Sequence, residues 1–204
     1  MFLVPYQSSV PWNAQATMFS TRAALWATYL PMSVHGRVSD IWRSYITQRL
    51  FQNICMRTAF AMDPLVVQNR NPHSYLADFD AEQDLYYKSG KLVELLSSWT
   101  PATNTLDTQI LELYILLYER DYVGIRDVQM IQQLWLKELN LFNYQFPITC
   151  LNTALKDNRT MPAVATGCDL RGEQFRCEPE IYAGNKNICC VSRREQARKN
   201  GFME

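Results

Sequence analysis

The sequence predicts a mainly α chain with a few short strands and a loop-rich, cysteine-bearing tail. Apolar residues recur at three- and four-residue spacing over long stretches, β-like runs are brief, and periodicity fades in the last quarter while cysteines accumulate there. Two parts follow: residues 1–145, predominantly helical, and residues 146–204, the tail.

A strand is expected near Phe2–Tyr6, then a helix from Ala14 to Tyr29, capped by Asn13 and stopped by Pro31. Residues 32–35 read as a further short strand. A long helix is expected from Asp40 to Arg57, with Ser39 as N-cap. Asp40 then stands in the first turn, where the helix dipole favours a negative charge. Its apolar stripe is Trp42, Tyr45, Ile46 and Phe51. Asp63–Pro64 marks a turn and residues 65–68 a β-like run. Pro72 holds Asn71 out of the helical region, so Arg70, Asn71 and His73 sit on a loop ahead of a helix from Tyr75 to Ser98, weakened at Gly90. Pro101–Asn104 reads as a linker. Two helical segments share residues 106–141, with Ile110, Leu113, Tyr114 and Leu117 on one face and Val128, Ile131, Leu134, Trp135 and Leu139 on the other. Such stripes are packing surface, and no ligand is assigned to them.

Composition narrows the function classes. Charges balance at 20 against 20 and apolar residues make up 48%, which describes a folded object with no nucleic-acid signature. Arg193, Arg194, Arg198 and Lys199 read as a solvated terminus. No apolar run approaches the roughly 20 residues that cross a bilayer. Met1 stands directly on an apparently internal strand without a signal peptide, so the chain is expected to be a fragment. Cys55 stands alone, whereas Cys150, Cys168, Cys177, Cys189 and Cys190 crowd the end. Without a Cys-x-x-Cys pair, the spacing suits disulfides in an oxidising lumen better than zinc; one tail cysteine is left over unless it reaches Cys55 or another chain. Asn158-Arg159-Thr160 is a glycosylation sequon.

Two stretches carry the candidate chemistry. HGRVSDIWRSYITQRLF gathers His35, Arg37, Asp40 and Arg43 at the start of a helix, and QNRNPHSYLADFDAEQDLYYKSGK places Arg70, Asn71 and His73 ahead of another. Both histidines of the chain therefore lie on loops leading into helices. Asp78, Asp80, Glu82 and Asp84 start the second helix and mainly solvate it, with Lys88 pairing to Asp84. The Asp78-Phe79-Asp80 triplet is at a helix start and not at a strand end, and a calcium loop is excluded because Gln83 stands where a glycine is required. Trp12 and Asn13 join an aromatic face to an amide, as sugar platforms do, or else fill the core and cap a helix.

Those two stretches closely resemble the STELLO-type glycosyltransferase-like family of plants and nematodes, and look more like its nematode branch. The resemblance runs from about Phe2 to Trp99 and more loosely beyond. It implies the C-terminal part of an α/β GT-A-like domain in a membrane-anchored protein of the Golgi lumen. The implied activity is transfer of a sugar from a nucleotide sugar to an unknown carbohydrate or glycoconjugate acceptor. In such a domain a manganese-like divalent metal is held by an Asp-x-Asp motif in the donor-binding half, which is absent here; this chain then carries the acceptor-side half, binds no metal of its own and is inactive alone. Asp40 matches the acidic residue at the start of the helix that follows the donor half, and is the expected base, with His35 as its catalytic companion. Arg37, Arg43, Arg70, Asn71, His73, Trp12 and Asn13 are the expected substrate-binding residues. The alternative is a noncatalytic interaction or assembly module derived from a transferase fold.

Overall fold

The computed structural model describes residues 2–5, 8–19, 22–61, 69 and 72–150. The chain divides into units Met1–Asp157 and Asn158–Glu204, and every described residue lies in the first. That part is mainly helical with one small sheet. β1 (Phe2–Leu3) pairs antiparallel with β2 (Ala59–Phe60), Phe2 opposite Phe60, and Val4 N–H extends the ribbon to the Thr58 carbonyl at 2.9 Å. A 3-10 helix (Arg22–Thr28) precedes α1 (Gly36–Asn53); α2 (Tyr75–Ala81), α3 (Gln83–Ser98), α4 (Leu106–Glu119), α5 (Ile125–Met130) and α6 (Leu136–Leu141) follow β2.

Helix α1 is the centre of the core. Trp42, Ile46, Leu50 and Phe51 pack against Leu92 and Leu96 of α3 and Ile110, Leu113 and Leu117 of α4, all buried. Burying each such side chain contributes about 1.5–3 kcal/mol. The stripe expected on α4 is buried as read. Three helices close without glycine on a left-handed residue: Cys55 (φ 55°) after α1, Asp121 (φ 58°) after α4 and Asn143 (φ 54°) after α6. In each, the N–H of the next residue donates to the carbonyl five residues earlier, as Met56 does to Phe51 at 2.9 Å. This closure ends α1 at Asn53 and not at Arg57.

Several expected elements differ. No α-helix runs from Ala14: Asn13 Oδ1 accepts from Ala16 N–H at 3.2 Å and the Thr17 hydroxyl donates to the Asn13 carbonyl, local bonds that compete with a helix. Residues 8–14 instead lie along α1. Val10 exchanges bonds with the Gln48 amide (3.0 and 2.7 Å), Trp12 N–H donates to Ser44 Oγ (3.3 Å) and Ala14 N–H to Asp40 Oδ2 (2.9 Å). Four helical residues rise about 6.0 Å and two extended residues about 6.6 Å, so the steps match. The strand expected at 32–35 is a bend, because Met32 N–H (2.7 Å) and Ser33 N–H (3.0 Å) donate to the Asp127 carboxylate and not to a neighbouring strand. The expected helix 75–98 breaks at Glu82, not at Gly90, whose Cα faces open space. Residues 101–104 form a tight turn held by Glu112, which accepts from Ala102 N–H at 2.9 Å. Between α5 and α6 a π-helical turn (Ile131–Trp135) adds a residue, so the buried face passes from Val128 and Ile131 to Leu136 and Leu139 and leaves Leu134 exposed. Residues 65–68 lie outside the described residues.

Of the cysteines, Cys55 is disulfide-bonded to Cys150, their Cα atoms 6.0 Å apart and 95 residues apart in sequence. On the chain-entropy model a loop of that size stabilises by roughly 4–5 kcal/mol. The remaining tail cysteines, the sequon and the basic cluster lie outside the described residues.

Asp127 is fully buried and also accepts from Tyr29 Oη (2.7 Å) and the Ser33 hydroxyl. Replacing it with alanine leaves these part-buried donors without their acceptor, at an expected cost of about 1–3 kcal/mol. Urea unfolding of Asp127→Ala measures this, and an unchanged midpoint would remove the carboxylate from that role.

Candidate functional site

His35 precedes α1 and caps it: its Nδ1 accepts from Arg37 N–H at 3.2 Å, and its carbonyl accepts from Val38 and Ser39. The cap is therefore His35 and not Ser39, whose hydroxyl donates to the Pro31 carbonyl. Starting the helix at Gly36 moves Asp40 out of the first turn. Both Asp40 oxygens accept backbone N–H groups, Oδ2 from Ala14 and Oδ1 from Ile41, each at 2.9 Å.

Arg37 crosses to the second loop and helix. Its guanidinium pairs with Asp78 of α2 and, at 3.1 Å, with Glu82 at the α2–α3 break. His73 Nε2 reaches the other Asp78 oxygen at 2.8 Å, and its ring packs on Tyr75 at 5.2 Å. Ser74 Oγ caps α2 by accepting from Ala77 N–H. The bend at Glu82 lets two acids one turn apart address one guanidinium, while Asp84 pairs with Lys88 at 3.0 Å as the spacing predicted. Asp78 and Glu82 thus bridge elements, where sequence reading made them solvating charges. The signal was their four-residue spacing opposite a basic helix start.

The expected site residues fall into three places. Arg37 and His73 meet on Asp78, with His35 beside Arg37 on the chain. Asp40, Trp12 and Asn13 belong to the segment laid along α1. Arg43 is inside: 5% exposed, its guanidinium lies 5.7 Å from the Phe19 ring, and Nε and Nη2 have no hydrogen-bond partner. Burial lowers its pKa, opposed chiefly by the charge of Asp40. Arg70 and Asn71 lie outside the described residues. Among the described residues no group of three or more His, Cys, Asp or Glu side chains could hold a metal ion. No helix among them is long and apolar enough to cross a membrane.

Residues 37–202 match the sequence pattern of the STELLO glycosyltransferases. The chain belongs to that family. It is 29% identical over 189 residues to probable glycosyltransferase STELLO2 of Arabidopsis thaliana, covering 93% of this chain and 24% of that protein. To probable glycosyltransferase STELLO1 of the same plant it is 27% identical over 144 residues, 71% of this chain and 18% of that one. The chain thus spans about a quarter or less of these relatives. No solved structure matches it.

Two outcomes test the site. Asp78→Ala removes the carboxylate that joins Arg37 to His73, while Arg37 keeps Glu82; because these groups are partly exposed, the expected stability loss is no more than about 1 kcal/mol, with faster proteolysis ahead of Tyr75. An unaltered digestion pattern means Asp78 does not hold the loop. Tyr29, through burial and then Asp127, and Tyr114, through burial, hold their protons well above the usual tyrosine range. Unfolded tyrosines titrate at about pH 10, so this contribution is intact below that pH and is lost as pH rises through the folded values. Urea midpoints followed upward from pH 9 should fall; a flat profile contradicts this.

Proposed function

We propose that the chain forms the acceptor-side part of a glycosyltransferase of the secretory pathway, moving a sugar from a nucleotide sugar to a carbohydrate or glycoconjugate acceptor. The match of residues 37–202 to the STELLO glycosyltransferases carries this reading. The loops bearing His35 and His73 support it by converging through Arg37 and Asp78, and the Cys55–Cys150 disulfide suits an oxidising compartment such as the Golgi lumen. In this reading the fold belongs with the GT-A type, and the donor-binding half, the membrane anchor and a manganese-like divalent cation belong to the longer protein. The groups here do not fit that cation: Asp78 has both oxygens engaged by Arg37 and His73, and its Asp-x-Asp triplet is helical.

Asp40 would act as base. Each of its oxygens accepts one N–H and keeps a lone pair for an acceptor hydroxyl. As that oxygen attacks the sugar carbon, its proton passes to the carboxylate while the nucleoside diphosphate leaves with the bond electrons. His35, accepting at Nδ1, carries its proton on Nε2 when neutral and can donate to the acceptor. Arg37, His73, Arg70 and Asn71 would line the acceptor side, with Trp12 and Asn13 beside Asp40. Asp40 would only orient the acceptor in a retaining reaction.

One observation favours the second reading, a noncatalytic interaction or assembly module. Arg37, Asp40 and Asp78 are already engaged with protein groups, and two cavities beside α1 measure only about 20 and 10 Å³, far below the roughly 300 Å³ of small-ligand pockets. A transfer screen across nucleotide sugars with the full-length protein decides between them. Turnover that drops on the order of 100-fold or more in Asp40→Asn supports the base; turnover insensitive to the change removes Asp40, and no turnover with any donor selects the module.

A further inference from the structure

Helix α2 spends none of its apolar side chains on packing. No residue of it is buried, so Tyr75, Leu76 and Phe79 stand in solvent, while the polar contacts of Ser74 and Asp78 tie the helix to its surroundings. A helix this short does not stand by itself, and these ties leave its rings free. The exposed surface continues into α3 with Tyr86 and Tyr87, and the Phe79 and Tyr86 rings meet across the break at Glu82, 5.4 Å apart and 31° from parallel. Among the described residues the other exposed rings, Phe2, Tyr118 and Phe142, lie far apart along the chain. A cluster of this kind marks a binding surface, whereas single exposed rings mean little. Glu82 joins it to the candidate site: one oxygen accepts from Arg37 at 3.1 Å and the other from the Tyr86 hydroxyl at 3.0 Å.

We propose that this face is a platform on which an uncharged oligosaccharide lies, its sugar C–H faces against the rings of Tyr75, Phe79, Tyr86 and Tyr87. The polar groups among the rings select the occupant. Asp80 is exposed and forms no ion pair among the described residues, and Gln83 turns its amide nitrogen to the Phe79 carbonyl at 2.9 Å, so both keep oxygens to which sugar hydroxyls can donate. The negative charge of Asp80 disfavours phosphate-bearing lipids and acidic glycans. A protein partner is disfavoured as well, because the dry centre of a protein interface is depleted of aspartate. Tyrosine, apolar across its ring and polar at its tip, suits a ligand that is apolar on one face and hydroxylated at its edge. From Tyr75 to Tyr87 the backbone rises by at most about 18 Å, long enough for several sugars in a row. The class of occupant rests on the transferase reading, in which the platform holds the acceptor chain beside Arg37 and Asp78.

The 204-residue chain is titrated calorimetrically with uncharged hexasaccharides of glucose, mannose and N-acetylglucosamine, and with hexagalacturonate as the anionic control. At least one uncharged chain should bind, and more tightly than hexagalacturonate. Tyr75→Ala and Tyr87→Ala should each weaken it by roughly three- to tenfold, whereas Tyr87→Phe, which keeps the ring, should change it little. Tyr75 and Tyr87 are 81% and 72% exposed, so these variants keep the wild-type fold. Binding of no uncharged chain, or equal binding by wild type and both alanine variants, overturns the platform. So does a concentration-dependent dimer in sedimentation that Tyr87→Ala abolishes, which gives the face to a second copy. Binding and not turnover is read here: a hexasaccharide that binds through these rings supports the platform even where a transfer screen finds no activity, and turnover in that screen without any such binding overturns the platform alone.

Discussion

Helix α1 is covered on most sides, so nearly every polar side chain it carries must find its partner inside the protein. A buried polar group left unpaired costs about 1–3 kcal/mol, which makes those pairings decisive for the placement of neighbouring segments. Asp40, Ser44 and Gln48, four residues apart, fasten residues 10–14. Ser39 fastens the turn at Pro31. Arg49 reaches the carbonyls of Leu96 (3.0 Å) and Trp99 (2.7 Å), closing the end of α3, and Asn53 joins Gln109 of α4 at 3.0 Å. The apolar stripe supplies the burial energy, whereas the polar rows determine where the loops go.

The same arrangement shapes the candidate site. Arg37 and Asp40 stand three residues apart yet serve different neighbours, Arg37 the acidic pair of α2 and Glu82, Asp40 the opening segment. The start of α1 is thereby clamped between two irregular segments, one carrying His73 and the other Trp12 and Asn13. Any ligand entering here competes with contacts the protein makes with itself.

Much of the helical body was legible because burial imposes a period. The α4 face at Ile110, Leu113, Tyr114 and Leu117, the stripe at Trp42, Ile46 and Phe51, the start of α2 after Ser74, and the Asp84–Lys88 pair follow from local spacing alone. Helix ends were less legible, since Cys55, Asp121 and Asn143 take the left-handed conformation where glycine is the usual marker. The π turn hid Leu134 from correct reading because one inserted residue rotates every later side chain.

By itself, then, the sequence determined the helical character, the crowding of cysteines towards its C-terminal end, family membership and the two polar stretches, all properties of neighbours along the chain. Only the tertiary structure decided that Arg37 and His73 share Asp78, that Arg43 points inward, that Asp127 gathers the turn before α1, and that Cys55 meets Cys150. Arg37 and Asp78, Met32 and Asp127, and Cys55 and Cys150 are far apart along the chain, the last two pairs by 95 residues, and no local pattern of charge or hydrophobicity specifies which distant partner such a group will find.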